Sequence, residues 1–137
     1  MNGVFVKKEI SILVVDDEEL LRDLLFKILT KEGYQVETVA DGAEALEKLD
    51  QNRYHMLISD IKMPRLNGYE LLEEVREKHP DLVVIMMTAY GDSYSVKDSL
   101  LLGADEYITK PFKSFEIQLI VERACWRLLS PPKRITD

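Results

Sequence analysis

The chain has 137 residues, 46% hydrophobic and 31% charged, with 25 Asp plus Glu against 18 Lys plus Arg and a formal net charge of −7. That length suits one domain with one substantial core, and the acidic balance argues against generic binding to a nucleic-acid backbone and for a cation or a basic partner surface. One cysteine, Cys125, excludes an intrachain disulfide and a cysteine zinc cluster.

A reducing, cytoplasmic setting is therefore the default. The start, MNGVFVKKE, lacks the apolar core of a signal peptide. No apolar run approaches the ~18 residues of a membrane span.

Residues 1–9 read as an N-terminal extension. Ser11-Ile-Leu-Val-Val15 is a short β-branched run that ends in Asp16-Asp17. A helix is predicted over 18–31, because Leu20, Leu21, Leu24, Leu25, Ile28 and Leu29 form a stripe at helical spacing. Gly33 punctuates its end. Residues 34–39 alternate like a strand. Asp41 then caps a second helix to about residue 49. A third strand covers 56–59. A loop with Pro64 and Asn67-Gly68 leads to a helix over 69–78, which Pro80 closes. The fourth strand, 82–87, ends at Thr88. Residues 93–102 read as helix with Gly103 as its stop, and 106–109 as a fifth short strand. After Lys110-Pro111 a last helix covers 114–129. Residues 130–137, with Pro131-Pro132, are a tail or the start of a linker.

Strands alternate with helices five times over short links. Three strands are apolar without alternation, as strands covered on both faces should be. The fold class is therefore α/β: a flavodoxin-like, doubly wound, five-stranded parallel sheet with helices on both faces. The usual order is 2-1-3-4-5, and 3-2-1-4-5 is its main competitor.

Open sheets of this kind place their sites at the carboxyl ends of the strands. Asp16, Asp17, Asp60, Thr88 and Lys110 all fall there. Singly, each has an ordinary reading: Asp16 or Asp17 as a helix cap, Asp60 as a turn residue, Thr88 as a strand former, Lys110 as a solvated cation. Those readings do not predict that all share one edge. Three clustered carboxylates repel unless a cation is bound, and their oxygens suit Mg²⁺ or Mn²⁺. Asp60 could then act as a nucleophile toward phosphorus, with Lys110 offsetting charge on the phosphoryl oxygens and Thr88 bonding to them.

The pieces "ILVVDDEE", "LISDIKMPRLNGYELL", "VIMMTAYG" and "GADEYITKPF" resemble, in order and spacing, the receiver domain of two-component response regulators over about residues 10–129. The resemblance implies that Asp60 is phosphorylated by a histidine kinase or a histidine phosphotransfer protein. It implies that Asp16, Asp17 and Asp60 hold Mg²⁺ with the backbone carbonyl of Lys62. Lys110 matches the phosphate-contacting lysine, with a cis bond to Pro111. Thr88 and Tyr107 match the switch pair, and Lys62 and Tyr90 match positions that tune rate. It implies a switch rather than an enzyme in the usual sense, although such a domain catalyses its own phosphoryl transfer and dephosphorylation. The surface of the helix over 93–102, the fifth strand and the last helix would carry the signal to an effector, an attached output domain or a second copy.

In the last helix Ile117, Ile120, Val121, Ala124 and Leu128 make one core stripe. Phe115, Leu119, Trp126 and Leu129 fall largely off it. They either cover the edge of the core or form a partner or dimer surface. Two other functions fit the fold less well. Many phosphatases that use an aspartyl nucleophile place a second Asp two residues on, where this chain has Lys62. A nucleotide- or flavin-binding module would need a phosphate cradle, and the first strand-to-helix turn, "VVDDEELL", has no glycine. His55 and His79 read as structural.

Overall fold

The computed structural model describes residues 6–89 and 103–129. Its strands are β1 (Ser11–Val15), β2 (Gln35–Val39), β3 (Met56–Asp60), β4 (Val83–Ala89) and β5 (Glu106–Lys110). They pair in parallel in the order β2-β1-β3-β4-β5, the first of the two expected topologies. The helices are α1 (Glu19–Lys31), α2 (Gly42–Gln51), α3 (Gly68–Lys78) and, after β5, α4 (Ser114–Leu129). The helix predicted over 93–102 lies outside the described residues, as does Tyr90.

The apolar run of β3 is buried at all five positions, and β1 and β4 are nearly so. Successive side chains of a strand point to opposite faces, so these strands feed two cores. Ile12, Val14, Ile58, Ile85 and Met87 pack with α1 and α4 on one face. Leu13, Val15, Leu57, Val84 and Met86 pack with α2 and α3 on the other. The edge strand β2 alternates exposed and partly buried residues before Val39, as its sequence pattern predicts.

Helix starts differ from expectation in instructive ways. Asp41 caps α2 by accepting a bond from the Glu44 N–H at 2.8 Å. α3 begins at Gly68, one residue earlier than predicted, because Asn67 and Glu70 form a reciprocal capping box. That Asn-x-x-Glu signal was present in the loop. Neither Asp16 nor Asp17 caps α1. Glu18 holds that position without a side-chain bond, and Asp16 Oδ1 instead accepts the Glu18 N–H at 2.8 Å. At the far end of α1, Gly33 turns the chain with φ +110, a conformation suited to glycine.

β4 and β5 each run further than predicted, because Thr88 pairs with Thr109 and Ala89 with Lys110. This extension builds Lys110 into the sheet. On α4, Ile117, Val121, Ala124 and Cys125 are buried, and Ile120 and Leu128 pack against them. Phe115, Leu119 and Trp126 are 55%, 61% and 51% exposed.

Candidate functional site

β1 and β3 are neighbours in parallel, with Val15 opposite Ser59. Their carboxyl ends therefore bring the Asp16-Asp17 turn beside Asp60. Asp16, Asp17 and Asp60 each offer an oxygen, and these atoms lie within 4.8 Å of one another. Asp16 and Asp60 are buried and Asp17 is exposed. Arg22, one turn into α1, donates from Nη1 to the Asp16 carbonyl at 2.7 Å and so fixes the acidic turn.

Lys110 reaches this cluster from the end of β5. Its Nζ is 3.0 Å from Asp16 Oδ2, 3.1 Å from Asp60 Oδ2 and 3.6 Å from Glu18 Oε1. Burial pulls the ammonium's pKa down, but the hydrogen bond to Asp16 and the charges of Asp60 and Asp16 outweigh this and raise it. Lys110 thus stays charged as the counter-ion of the site. Burial also raises the Asp60 pKa, opposed by the charge of Lys110 and reinforced by that of Asp16. The Lys62 N–H approaches Asp60 Oδ1 at 3.4 Å. The Lys110–Pro111 peptide bond is cis.

Thr88 is buried one residue past Met87, the β4 partner of Asp60. Tyr107 is 37% exposed on β5. The sheet thus brings Lys110 against Asp16 and Asp60, sets Asp17 beside those two carboxylates, and leaves Tyr107 on the surface. His55 and His79 serve the scaffold instead. The Nδ1 of His55 accepts the N–H of Ser11, the first residue of β1, at 3.0 Å, and His79 lies 3.4 Å from Asp50 at the end of α3.

Glu18, Arg22 and Gly68 were not singled out from the sequence. Glu18 follows the acidic pair directly, which was the available hint. Arg22 sits on the helical stripe's polar side and carried no signal of its own. Gly68 read as half of an Asn-Gly turn, whereas its N–H also bonds to the Ile61 carbonyl at 2.8 Å, next to Asp60.

A donor set of carboxylate oxygens suits a hard divalent cation, and the three carboxylates of the cluster form such a set. Among the described residues no helix is long and apolar enough to cross a membrane.

Residues 12–122 match the response regulator receiver domain family. Response regulator RR06 of Streptococcus pneumoniae is 42% identical over 82% of this chain and 50% of its own length. The CpxR homolog of Haemophilus influenzae, a transcriptional regulatory protein, is 39% identical over 93% of this chain and 55% of its own. The chain thus spans about half the length of these curated relatives. Among solved structures, the receiver domain of NtrX from Brucella abortus superposes with a TM-score of 0.79 at 37% identity, covering 82% of this chain and 96% of that one. A response regulator receiver domain from Clostridium thermocellum gives 0.82 at 30% identity, covering 87% and 96%. The chain belongs to the response regulator receiver domains of two-component systems, which are signalling switches rather than enzymes in the usual sense.

Proposed function

We propose that residues 10–129 form a phosphoacceptor switch in which Asp60 takes a phosphoryl group from a histidine kinase or a histidine phosphotransfer protein. The observation that carries this reading is the Lys110 ammonium held between Asp16 and Asp60, 3.0 and 3.1 Å from their oxygens. A buried carboxylate with a fixed cation beside it is a nucleophile whose product charge is already provided for.

Mg²⁺, or Mn²⁺, would be held by the carboxylates of Asp16, Asp17 and Asp60 and the backbone carbonyl of Lys62. When bound, the ion supplies charge stabilisation for the phosphoryl oxygens. An Asp60 carboxylate oxygen forms the new bond to phosphorus as the donor's bond breaks. Lys110 then exchanges a carboxylate partner for a phosphoryl oxygen, a shift of one hydrogen bond. Thr88 donates its hydroxyl to the phosphoryl group and Tyr107 turns inward. The population moves to a second state with a different surface around β5 and α4. Lys62 and Tyr90 set how fast water removes the group, a reaction the domain catalyses itself.

The exposed Phe115, Leu119 and Trp126 favour use of α4 by a partner, an attached output domain or a second copy. Residues 130–137 would then begin a linker. The whole acts in the cytoplasm and leaves nucleic acid to other domains, in keeping with its −7 charge.

Acetyl phosphate or beryllofluoride with Mg²⁺, read by intact mass and by Trp126 fluorescence, tests the reading. The unmodified chain responds and Asp60→Asn does not. A response that persists in Asp60→Asn would sink the assignment.

A further inference from the structure

The turn after β1 and the loop from β3 to α3 border an open cleft of about 600 Å³ beside the acidic cluster. Ile61, Met63, Pro64 and Tyr69 give it apolar walls, and Asp17 and Lys62 also line it. The cleft joins the site at two points. Asp17 belongs to both, and Ile61 is the residue after Asp60. Its wall is held fast: the Asn67–Glu70 capping box anchors the start of α3, the Gly68 N–H donates to the Ile61 carbonyl at 2.8 Å, and Arg65 adopts φ +68, a costly conformation for a side-chain-bearing residue.

Its volume is in the range of small-molecule sites. Asp17 and Ile61 set these walls beside Asp60, and apolar walls favour an apolar occupant. We propose that this cleft holds the organic group of low-molecular-weight acyl phosphates, so that donors with an apolar acyl group larger than acetyl bind in preference to acetyl phosphate. The inference rests on Asp60 being the acceptor. In the transfer, the bond between phosphorus and the acyl oxygen breaks as the bond from Asp60 forms. The electron pair leaves with the acyl carboxylate, and no proton or further reactant is needed.

Benzoyl phosphate and acetyl phosphate with Mg²⁺ are compared as donors, by initial rates of Asp60 labelling in intact mass, for the full chain and for Tyr69→Ala. KM for benzoyl phosphate should be about tenfold lower than for acetyl phosphate, the fold-change that partial burial of one ring provides. Tyr69→Ala should narrow that gap while acetyl phosphate still labels Asp60. Sodium benzoate should compete with acetyl phosphate in the unmodified chain, a readout that stands even if Tyr69→Ala unfolds. Equal KM values without benzoate competition, alongside normal labelling, overturn the cleft alone. Absence of labelling by either donor overturns the phosphoacceptor reading and the cleft with it.

Discussion

Gly68 lies so close to Asp60 that a Cβ on it would overlap the Asp60 carbonyl oxygen, and would stand 2.7 Å from the Ile61 Cα and 2.8 Å from the Met86 Cε. Two of these three neighbours are backbone, which cannot swing aside. Alanine is the better helix former, yet at this position it forces the acceptor strand and α3 apart. Gly68→Ala should therefore destabilise by about 1–3 kcal/mol, the usual cost of overpacking. It should also slow Asp60 labelling more than a remote variant of equal stability does. Thermal unfolding and acetyl phosphate labelling check the two parts separately. An unshifted melting temperature would show that the helix can retreat without cost.

Asp16, Asp17, Asp60 and Glu18 gather four carboxylates around the Lys110 end of β5, more negative charge than that ammonium offsets. A divalent cation that binds the folded chain and not the unfolded one must raise stability, by about 2.7 kcal/mol at a hundredfold excess over Kd. Titrating Mg²⁺ into the chain should raise Tm, and a chelator should reverse it. Asp17 is the exposed member of the cluster, so Asp17→Asn should keep the fold while losing most of the Mg²⁺ shift. An equal shift in that variant would place the cation elsewhere.

The site was readable because its residues stand at the ends of apolar runs. "ILVV" and "MLIS" fix two central strands, and parallel pairing carries Asp16 and Asp60 to one edge whatever the helices do. Lys110 was harder to place: it gains its meaning from β5 running to its full length beside β4. Arg22 was invisible, because a guanidinium bound to a backbone carbonyl leaves no pattern in sequence. The same holds for the pairs Arg76–Asp105 and Glu106–Arg123, whose members are 29 and 17 residues apart in the chain. At the start of α1 the local signal alone allowed a cap at Asp16 or Asp17, and only the shared strand edge argued for the site; Asp16 is turned toward the Glu18 N–H and Lys110.

Tyr34 and Cys125 meet in the core shared by α1 and α4, where the Cys125 thiol approaches the Tyr34 hydroxyl at 3.7 Å. Burial raises the Tyr34 pKa, and its bond with Cys125 adds to this. Burial likewise raises that of Cys125, opposed by the hydrogen bond to Tyr34 and the charge of Lys7. Both groups are acids held neutral in the fold, so the unfolded chain loses these protons first as pH rises. Their contribution to stability is complete below the unfolded values, roughly pH 8.5 for cysteine and 10 for tyrosine, and is lost above them. Urea unfolding should show stability declining from about pH 8.5 upward. Tyr34→Phe should flatten the upper part of that decline. In native buffer Cys125 should resist thiol reagents and react only on denaturation, since it is fully buried.

Arg76 ties three segments together at the end of the sheet opposite the acidic cluster. From α3 its Nε donates to the Gly103 carbonyl at 2.7 Å, and one Nη1 donates to the Leu82 carbonyl at 2.6 Å. Its Nη2 pairs with Asp105 Oδ2 at 2.8 Å, and the same oxygen accepts the Val84 N–H at 2.8 Å. The turn into β5 is thus clamped to α3 and β4. From the other face of the sheet Arg123 makes a two-pronged pair with Glu106 at 2.6 and 3.1 Å. The two clamps differ in exposure: the Arg76 side chain is 15% exposed and that of Arg123 67%. Loss of Arg76 leaves two carbonyls and the Asp105 carboxylate without their donor, whereas loss of Arg123 leaves the buried Glu106 carboxylate with Arg127 still 3.5 Å away. Arg76→Ala should cost about 2–3 kcal/mol, within the range for unsatisfied buried groups and charged hydrogen bonds. Arg123→Ala should cost less, about 1–2 kcal/mol, because Arg127 remains 3.5 Å from the buried Glu106 carboxylate. Because the Arg76 clamp fixes the start of β5, its loss should also loosen the amides of Val84 and Asp105 first. Hydrogen exchange at those two amides, compared between the two variants, checks this. Equal protection in both would mean that the strand ladder alone holds the turn.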